Sequence, residues 1–357
     1  MDRVIVGLSG GVDSAVAAYL LKEEGYDVTG VTLRTWKDEY GAFSRCCEID
    51  DAKQIASRIG IPYHVADCSD DFSRLVTAPF MESYVSGLTP NPCVVCNRVL
   101  KWAKMLDVAK KFGAERVATG HYASVVKLEN GRYTVRMASN SQKDQTYMLY
   151  ALTQEQLAST LMPLGDMGKD EVRAIAASAN IPVADKPDSQ EICFVPDDDY
   201  AGYITANYKG SIPGDGDFVD EDGNVLGRHN GIIHYTVGQR KGLGLPLGYP
   251  IYVKRIDIEK NEVVLAKDED LYSKTVICRD INYMSIEGLC RGREIRCKAK
   301  IRYRHAPEDA VAELTKDGLL QLTFDEPVRA AAPGQAAVMY DDEKNVIGGG
   351  TIWEARN

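Results

Sequence analysis

Two groups of residues in this 357-residue chain have the types and spacing to do chemistry. The first is Ser9-Gly10-Gly11-Val12-Asp13-Ser14, which follows the apolar run Val4-Ile5-Val6-Gly7-Leu8. A glycine-rich turn between a strand and a helix can wrap backbone N–H groups around a phosphate. The helix N-terminus adds its positive dipole end. Gly10 and Gly11 permit a tight turn and close approach, and Ser9 and Ser14 supply hydroxyls. Asp13 can hold a Mg²⁺ ion that bridges phosphate oxygens. No Gly-Lys-Ser/Thr is present, so this is not a Walker A loop.

The second group is cysteine-based. Asn91-Pro92-Cys93-Val94-Val95-Cys96-Asn97 follows Pro90, and the prolines keep the chain extended before the first thiol. A helix starting near Asn97 would place Cys96 at a helix N-terminus, which favours thiolate. Three readings stay open on spacing alone. A structural zinc site needs a second Cys-x-x-Cys or a His pair, and none is suitably spaced. A buried inert pair is one alternative. A reactive or cluster-binding thiol suits the loop placement best. Far along the chain, Cys193 sits in Pro187-Asp188-Ser189-Gln190-Glu191-Ile192-Cys193-Phe194-Val195-Pro196, a polar, proline-bounded loop. Cys46, Cys47, Cys68, Cys278, Cys290 and Cys297 show no spacing with a chemical reading.

A third feature is basic. Arg296, Lys298, Lys300, Arg302 and Arg304 recur at every second position, which predicts one cationic face of a β-strand. Such a face suits a phosphate backbone. Arg240 and Lys241 add cations on a loop bounded by Gly238 and Gly242.

The elements that must hold these residues follow from hydrophobic pattern. Val4–Leu8, Val28–Leu33, Tyr63–Ala66 and Arg116–Thr119 read as strands. Ser14–Glu24, Asp51–Ile59, Asp71–Ser86 and Asn97–Phe112 read as helices. The alternation predicts a doubly wound α/β domain with a parallel sheet over residues 1–200. It fades near Val195. Short strands with turns then predict a small central domain over 201–273 and a C-terminal β-barrel over 274–357.

Composition agrees with a globular enzyme. The hydrophobic fraction is 45%, the charged fraction 26% and the formal net charge -10. A disordered chain is excluded. No apolar stretch is long enough for a bilayer, and Met1-Asp2-Arg3 runs straight into the first strand, so no membrane partner and a cytoplasmic location are expected. Nine cysteines without a leader argue against a secreted disulfide framework. The acidic balance argues only weakly against nucleic acid, because clustering of basic residues decides that question.

The Ser9–Ser14 loop resembles the pyrophosphate loop of the ATP pyrophosphatases, which implies adenylation of a substrate oxygen with release of pyrophosphate. More closely, the chain resembles the tRNA-specific 2-thiouridylases. The matching segments are Gly7 to Ser14, Thr89-Pro90-Asn91-Pro92, Cys96-Asn97, Ala118-Thr119-Gly120-His121-Tyr122-Ala123, Lys143-Asp144-Gln145, Ser189-Gln190-Glu191-Ile192-Cys193-Phe194 and Gly238-Gln239-Arg240-Lys241-Gly242-Leu243-Gly244. The resemblance implies ATP-dependent 2-thiolation of the wobble uridine of the tRNAs for Lys, Glu and Gln. It implies ATP at Gly7, Leu8, Ser9, Gly10, Gly11, Val12, Asp13, Ser14, Leu33 and Gly120. Cys96 is then the nucleophile and Cys193 the persulfide carrier, the two ending as a disulfide. It further implies tRNA contacts at His121, Lys143, Asp144, Gln145, Lys241, Arg302, Tyr303 and Gln335, and a sulfur-carrier protein or cysteine desulfurase as donor.

One position departs from the family. Many members carry Asp where this chain has Cys93. Cys93, Cys96 and Cys193 could together hold a [4Fe–4S] cluster with one iron open for hydrosulfide. Cluster and persulfide relay both stand as expectations. Two other classes remain: a pyrophosphatase-loop enzyme acting on a small metabolite, and a non-enzymatic RNA-binding metalloprotein.

Overall fold

A computed structural model describes residues 1–35, 49–138, 143–183 and 192–357. The expectations at Cys46, Cys47 and Pro187 to Glu191 lie outside the described residues.

The N-terminal part is built on strands β1 (Arg3–Gly7), β2 (Asp27–Arg34), β3 (Tyr63–Asp67) and β4 (Arg116–Ala118), with helices α1 (Val12–Glu23) and α2 (Ile49–Ile59) between the first three. A hairpin follows, β5 (Ala123–Lys127) and β6 (Tyr133–Met137), and then the short β7 (Thr160–Leu161). The sheet order is β3-β2-β1-β4-β7 and every pairing in it is parallel. Val4, Ile5 and Val6 are all buried, as a parallel strand covered on both faces requires. Val4 and Val6 join α1 and α2 in one core layer, whereas Ile5 faces the other. The sheet thus has two covered sides, the expected doubly wound arrangement.

The strand order reverses at β1. Loops beyond the carboxyl ends of strands flanking such a switch point form a natural ligand crevice. The Ser9–Ser14 loop leaves β1 at this place.

The second layer holds a long helical stretch with two alpha segments, Pro92–Cys96 and Trp102–Lys111, and a π-type turn between them over Asn97–Lys101. Trp102 is fully buried there, and its indole N–H donates to Thr160 Oγ1 at 2.7 Å. A buried aromatic of this size typically contributes about 1.5–3 kcal/mol or more by burial, and the bond satisfies its one polar atom.

The central part is a four-stranded sheet of β8 (Gly216–Val219), β9 (Val225–His229), β10 (Tyr252–Asp257) and β11 (Glu262–Ala266), with Phe218, Val253, Val263 and Leu265 in its core. The C-terminal part is a closed barrel. Its strands are β12 (Tyr272–Tyr283), β13 (Ile295–Lys300), β14 (Glu308–Leu314), β15 (Leu320–Arg329), β16 (Ala336–Tyr340) and β17 (Val346–Arg356). Closure leaves the barrel no unpaired edge.

The barrel and the first domain share a core. Val338, Tyr340 and Val346 belong to the same apolar cluster as Cys96, Trp102 and Tyr147. Among the described residues no helix is long and apolar enough to cross a membrane.

Candidate active site

The loop after β1 is fixed by its own hydroxyls. Gly10 takes φ of +78°, a region where glycine has no side-chain penalty. Gly11, with extended φ and ψ, caps α1. Ser14 Oγ accepts from Ser9 N–H at 3.2 Å and donates to the Gly11 carbonyl at 3.0 Å, which closes the turn on itself. Thr32 Oγ1 donates to the Leu8 carbonyl at 2.7 Å and ties the start of the loop to β2, one residue before Leu33.

Gly120 explains itself by contact. A Cβ built there would lie 2.6 Å from Asp13 C and from Ser14 N. Only glycine lets the segment after β4 press against the loop backbone.

Asp13 is held by two distant residues. Lys169 Nζ lies 2.7 Å from Oδ1 and 2.9 Å from Oδ2, and the Tyr122 hydroxyl donates to Oδ1 at 2.7 Å. The Lys169 side chain is only 11% exposed, so the pair is poorly screened. Lys169 is the first residue of the helix Lys169–Ser178. Sequence reading missed Lys169, which stands in no recognisable motif, and it assigned no role to Tyr122, although Tyr122 lies in the Ala118–Ala123 segment.

The cysteine helix corrects one expectation. It begins at Pro92, not near Asn97. Asn91 caps it by accepting from Val94 N–H at 3.3 Å, and Pro92 occupies the first turn, where its missing N–H matters least. Cys93 therefore stands in the first turn, and Cys96 lies beyond the turn where the dipole acts most strongly. Cys96 is 5% exposed, while Cys93 and Cys193 are half-buried. Asn97 Nδ2 donates to the Met148 carbonyl at 3.0 Å, and Asn91 Nδ2 approaches Met148 Sδ at 3.6 Å. Asn97 Oδ1 is buried without a hydrogen-bond partner.

Cys96 and Cys193 meet the same apolar core, in which Phe194 packs edge-on against Phe72 and Phe80 at 5.5 and 5.1 Å between ring centres. That core includes Leu33 and Ile5 on the sheet face beside the phosphate loop. The three thiols do not form a ligand set. Among the described residues no three His, Cys, Asp or Glu side chains converge to hold a metal ion, so this geometry does not fit the iron–sulfur alternative. Asp13 is a single carboxylate whose oxygens are already engaged.

The residues expected to face tRNA divide into two sets. His121 lies beside Trp102, its Nδ1 is 2.9 Å from Thr119 Oγ1, and burial pushes its imidazole down to about 3. Gln145 exchanges bonds with Tyr122, accepting at Oε1 from its N–H at 3.0 Å. Lys143 is half-buried and Lys241 exposed.

The second set sits at the joints between domains. Asp144 is 4% exposed, accepts from Thr146, and lies 3.9 Å from the buried Lys300. Burial raises the Asp144 carboxyl, an effect that Thr146 and Lys300 oppose. Burial likewise lowers Lys300, against the pull of Asp144. The Lys300 ammonium stands over the Tyr147 and Tyr303 rings at 6.0 and 5.9 Å. Arg302 donates to the carbonyls of Val237 and Ala330, where the central domain meets the barrel. Gln335 donates to the carbonyls of Thr89 and Pro90 at 3.0 and 3.2 Å.

The basic strand is therefore shorter and less cationic than its alternation predicts. β13 stops at Lys300, and Ile301 to His305 form turns. Arg296 makes a two-pronged pair with Asp325 at 2.8 Å, and Lys298 pairs with Asp309 at 2.8 Å. Asp309 on the adjacent β14 and Asp325 on β15, one strand further, neutralise two of the cations, and the first domain covers a third.

A parallel sheet with a phosphate loop at its switch point defines a HUP-type nucleotide-binding domain. The family model described as tRNA methyl transferase HUP domain matches residues 2–197. Models described as tRNA methyl transferase PRC-barrel domain and Aminomethyltransferase beta-barrel domain match 206–267 and 273–352. The chain is 49% identical over 99% of its length to a tRNA-specific 2-thiouridylase MnmA of Lachnoclostridium phytofermentans, covering 99% of that protein. It is 48% identical to the one of Acetivibrio thermocellus and 46% to that of Clostridioides difficile, over 98% of this chain and 99% and 98% of theirs. The chain belongs to the tRNA-specific 2-thiouridylase family.

Proposed function

We propose that this protein is an ATP-dependent sulfurtransferase that places sulfur at position 2 of the wobble uridine of tRNA. The observation that carries the reading is the location of Cys96 and Cys193 in one core, against the sheet face beside the phosphate loop. Full-length likeness to the 2-thiouridylases supports it.

The uridine 2-oxygen attacks the ATP α-phosphate, and pyrophosphate leaves. A wobble base must be extruded from its stack for that approach. Adenylation converts a poor leaving oxygen into AMP. The chain's own part is to bind and orient. The Ser9–Ser14 backbone, the α1 N-terminus and Lys169 supply positive potential where phosphate charge gathers. Leu33 and Gly120 border the ATP. Mg²⁺ would arrive with the ATP phosphates and take Asp13, in competition with the Lys169 ammonium. His121, Lys143, Asp144, Gln145, Lys241, Arg302, Tyr303 and Gln335 are proposed to touch tRNA or to shape the surface that does.

Sulfur follows as a persulfide. Cys193 receives sulfane sulfur from a donor protein. Its terminal sulfur attacks C2, and AMP leaves. Cys96 thiolate then attacks the Cys193 sulfur, which breaks the S–S bond, leaves sulfur on the base and forms the Cys96–Cys193 disulfide. A dithiol reductant reopens it. In a second route Cys96 attacks the persulfide first and releases hydrosulfide, which attacks C2.

The experiment is incubation with unmodified tRNA, ATP, Mg²⁺ and a persulfide donor, with nucleosides read by mass spectrometry. Wild type yields 2-thiouridine, and Cys96→Ser yields none while still releasing pyrophosphate in a tRNA-dependent manner. AMP release without tRNA, driven by a small amide or amine acceptor, would place the chain with the metabolite synthetases instead.

A further inference from the structure

A buried nucleophile raises the question of what holds it. Four hydrogen bonds, in two places, join the segments that flank the Cys96 helix to the C-terminal barrel.

The first place is the strap before the helix. Thr89 N–H donates to the Pro333 carbonyl at 2.8 Å. Gln335 Nε2 donates to the Thr89 and Pro90 carbonyls at 3.0 and 3.2 Å. Gly334, at φ of +93°, lets the two backbones touch, because a Cβ there would stand 3.0 Å from Thr89 N, C and O. The barrel side of this joint is itself tied down. Gly334 N–H donates to the Ile352 carbonyl at 2.9 Å, and Ile352 N–H to that of Gln335 at 2.7 Å. Two residues beyond Pro90 the Cys93–Cys96 helix begins.

The second place is behind the helix. Asn97, next to Cys96, donates to the Met148 carbonyl at 3.0 Å. The neighbouring Tyr147, fully buried, donates its hydroxyl to the Ala336 carbonyl at 2.8 Å. Ala336 is the residue after Gln335. One short barrel segment, 333–336, thus reaches both ends of the nucleophile's support.

We propose that this barrel segment positions the Cys96 thiol, with Gln335 as a positioning residue, so that the barrel belongs to the catalytic scaffold and is more than an RNA-binding module. The proposal rests on Cys96 being the nucleophile. Its structural half, that segment 333–336 fixes the Cys96 helix, does not depend on any reaction. Neither strap carbonyl has a helical partner, and buried carbonyls need donors. Losing the Gln335 amide removes about one hydrogen bond's worth of restraint, which corresponds to about a 2- to 10-fold shift in local opening.

The test uses the full-length protein and iodoacetamide, with Cys96 alkylation followed by peptide mass spectrometry across pH. Gln335→Ala and, independently, Tyr147→Phe should each raise the Cys96 alkylation rate about 2- to 10-fold without moving the Cys290 rate. Gln335→Lys, which restores an N–H donor, should return it toward wild type, and the isosteric Gln335→Glu should not. In thiolation assays Gln335→Ala should lower kcat more than it raises KM for tRNA. An unchanged Cys96 rate, with the whole kinetic effect in KM, would overturn the proposal and leave Gln335 as an RNA contact alone. Absence of 2-thiouridine from every protein including wild type, with the alkylation pattern intact, would sink the functional reading but not the scaffold.

Discussion

Lys169 and Asp13 lie 156 positions apart in the chain, yet the Lys169 ammonium spans both oxygens of the Asp13 carboxylate at 2.7 and 2.9 Å. Asp13 is in the first turn of α1 and Lys169 opens a second helix, so the contact locks the two helices at the phosphate loop. Lys169→Met should lower tRNA-dependent AMP formation about 10- to 100-fold, the effect of losing one charge-assisted contact of about 1.5–3 kcal/mol. Lys169→Arg should retain part of the activity. Rates within twofold of wild type for Lys169→Met, in a protein of unchanged melting temperature, would leave the lysine a structural strut.

Gly120 gives a steric prediction. Gly120→Ala drives a methyl into the backbone between Asp13 and Ser14, at 2.6 Å from two of its atoms. Overpacking of this kind typically costs about 1–3 kcal/mol. Here the displaced atoms belong to the phosphate loop, so ATP affinity should fall about tenfold or more, measured by calorimetry. Equal ATP affinity with lowered stability would show that the loop relaxes without losing its phosphate geometry.

The strand-to-helix turn at Ser9–Ser14 could be read from the chain, and the limits beyond it have physical causes. The phosphate loop is local, because its turn, its hydroxyls and its helix start within a few residues of one another. Lys169 was invisible because the contact depends on how two helices dock, and a lysine at a helix start is common. The basic alternation was sound at Arg296 and Lys298, whose side chains reach the surface. It failed in meaning, since Asp309 arrives on the adjacent β14 and Asp325 on β15, one strand further round the barrel. Lys300 is buried by a domain more than 150 residues earlier, which no local pattern encodes. The start of the Cys96 helix was misplaced because Pro92 was read as a break, although proline is well suited to a first turn.

The Lys300–Asp144 pair gives a pH prediction. Burial raises the Asp144 carboxyl, so the folded state binds its proton more tightly than the unfolded state. Such a group stabilises most below its unfolded value near 3.8 and loses that contribution as pH rises through the folded value. Lys300 moderates the loss by favouring the carboxylate. Lys300→Met removes that compensation, which for a buried pair costs about 3–5 kcal/mol when the remaining charge is stranded. The variant's deficit should therefore be small near pH 4 and grow toward neutrality in urea denaturation. Lys300→Met with Asp144→Asn should recover much of it. A deficit independent of pH would mean that lost packing against Tyr147 and Tyr303 dominates.

Substitution of Cys93 tests how sulfur is carried. Cys93 stands one helical turn before Cys96, more exposed, and among the described residues it does not join Cys96 and Cys193 in a metal-binding set. On the relay reading, Cys93→Ala should make 2-thiouridine at a rate within about threefold of wild type when a persulfide donor and a dithiol are supplied. With the dithiol withheld, wild type and Cys93→Ala should both stop after one turnover, and peptide mapping should recover a Cys96–Cys193 disulfide from each. Cys193→Ser should form no product and still release pyrophosphate in a tRNA-dependent manner, because adenylation precedes sulfur transfer. If Cys93→Ala instead loses product while keeping pyrophosphate release, the third thiol takes part in sulfur delivery. The mapped disulfide would then tell where it acts, since a Cys93–Cys96 bridge in wild type would make it the resolving thiol of the nucleophile.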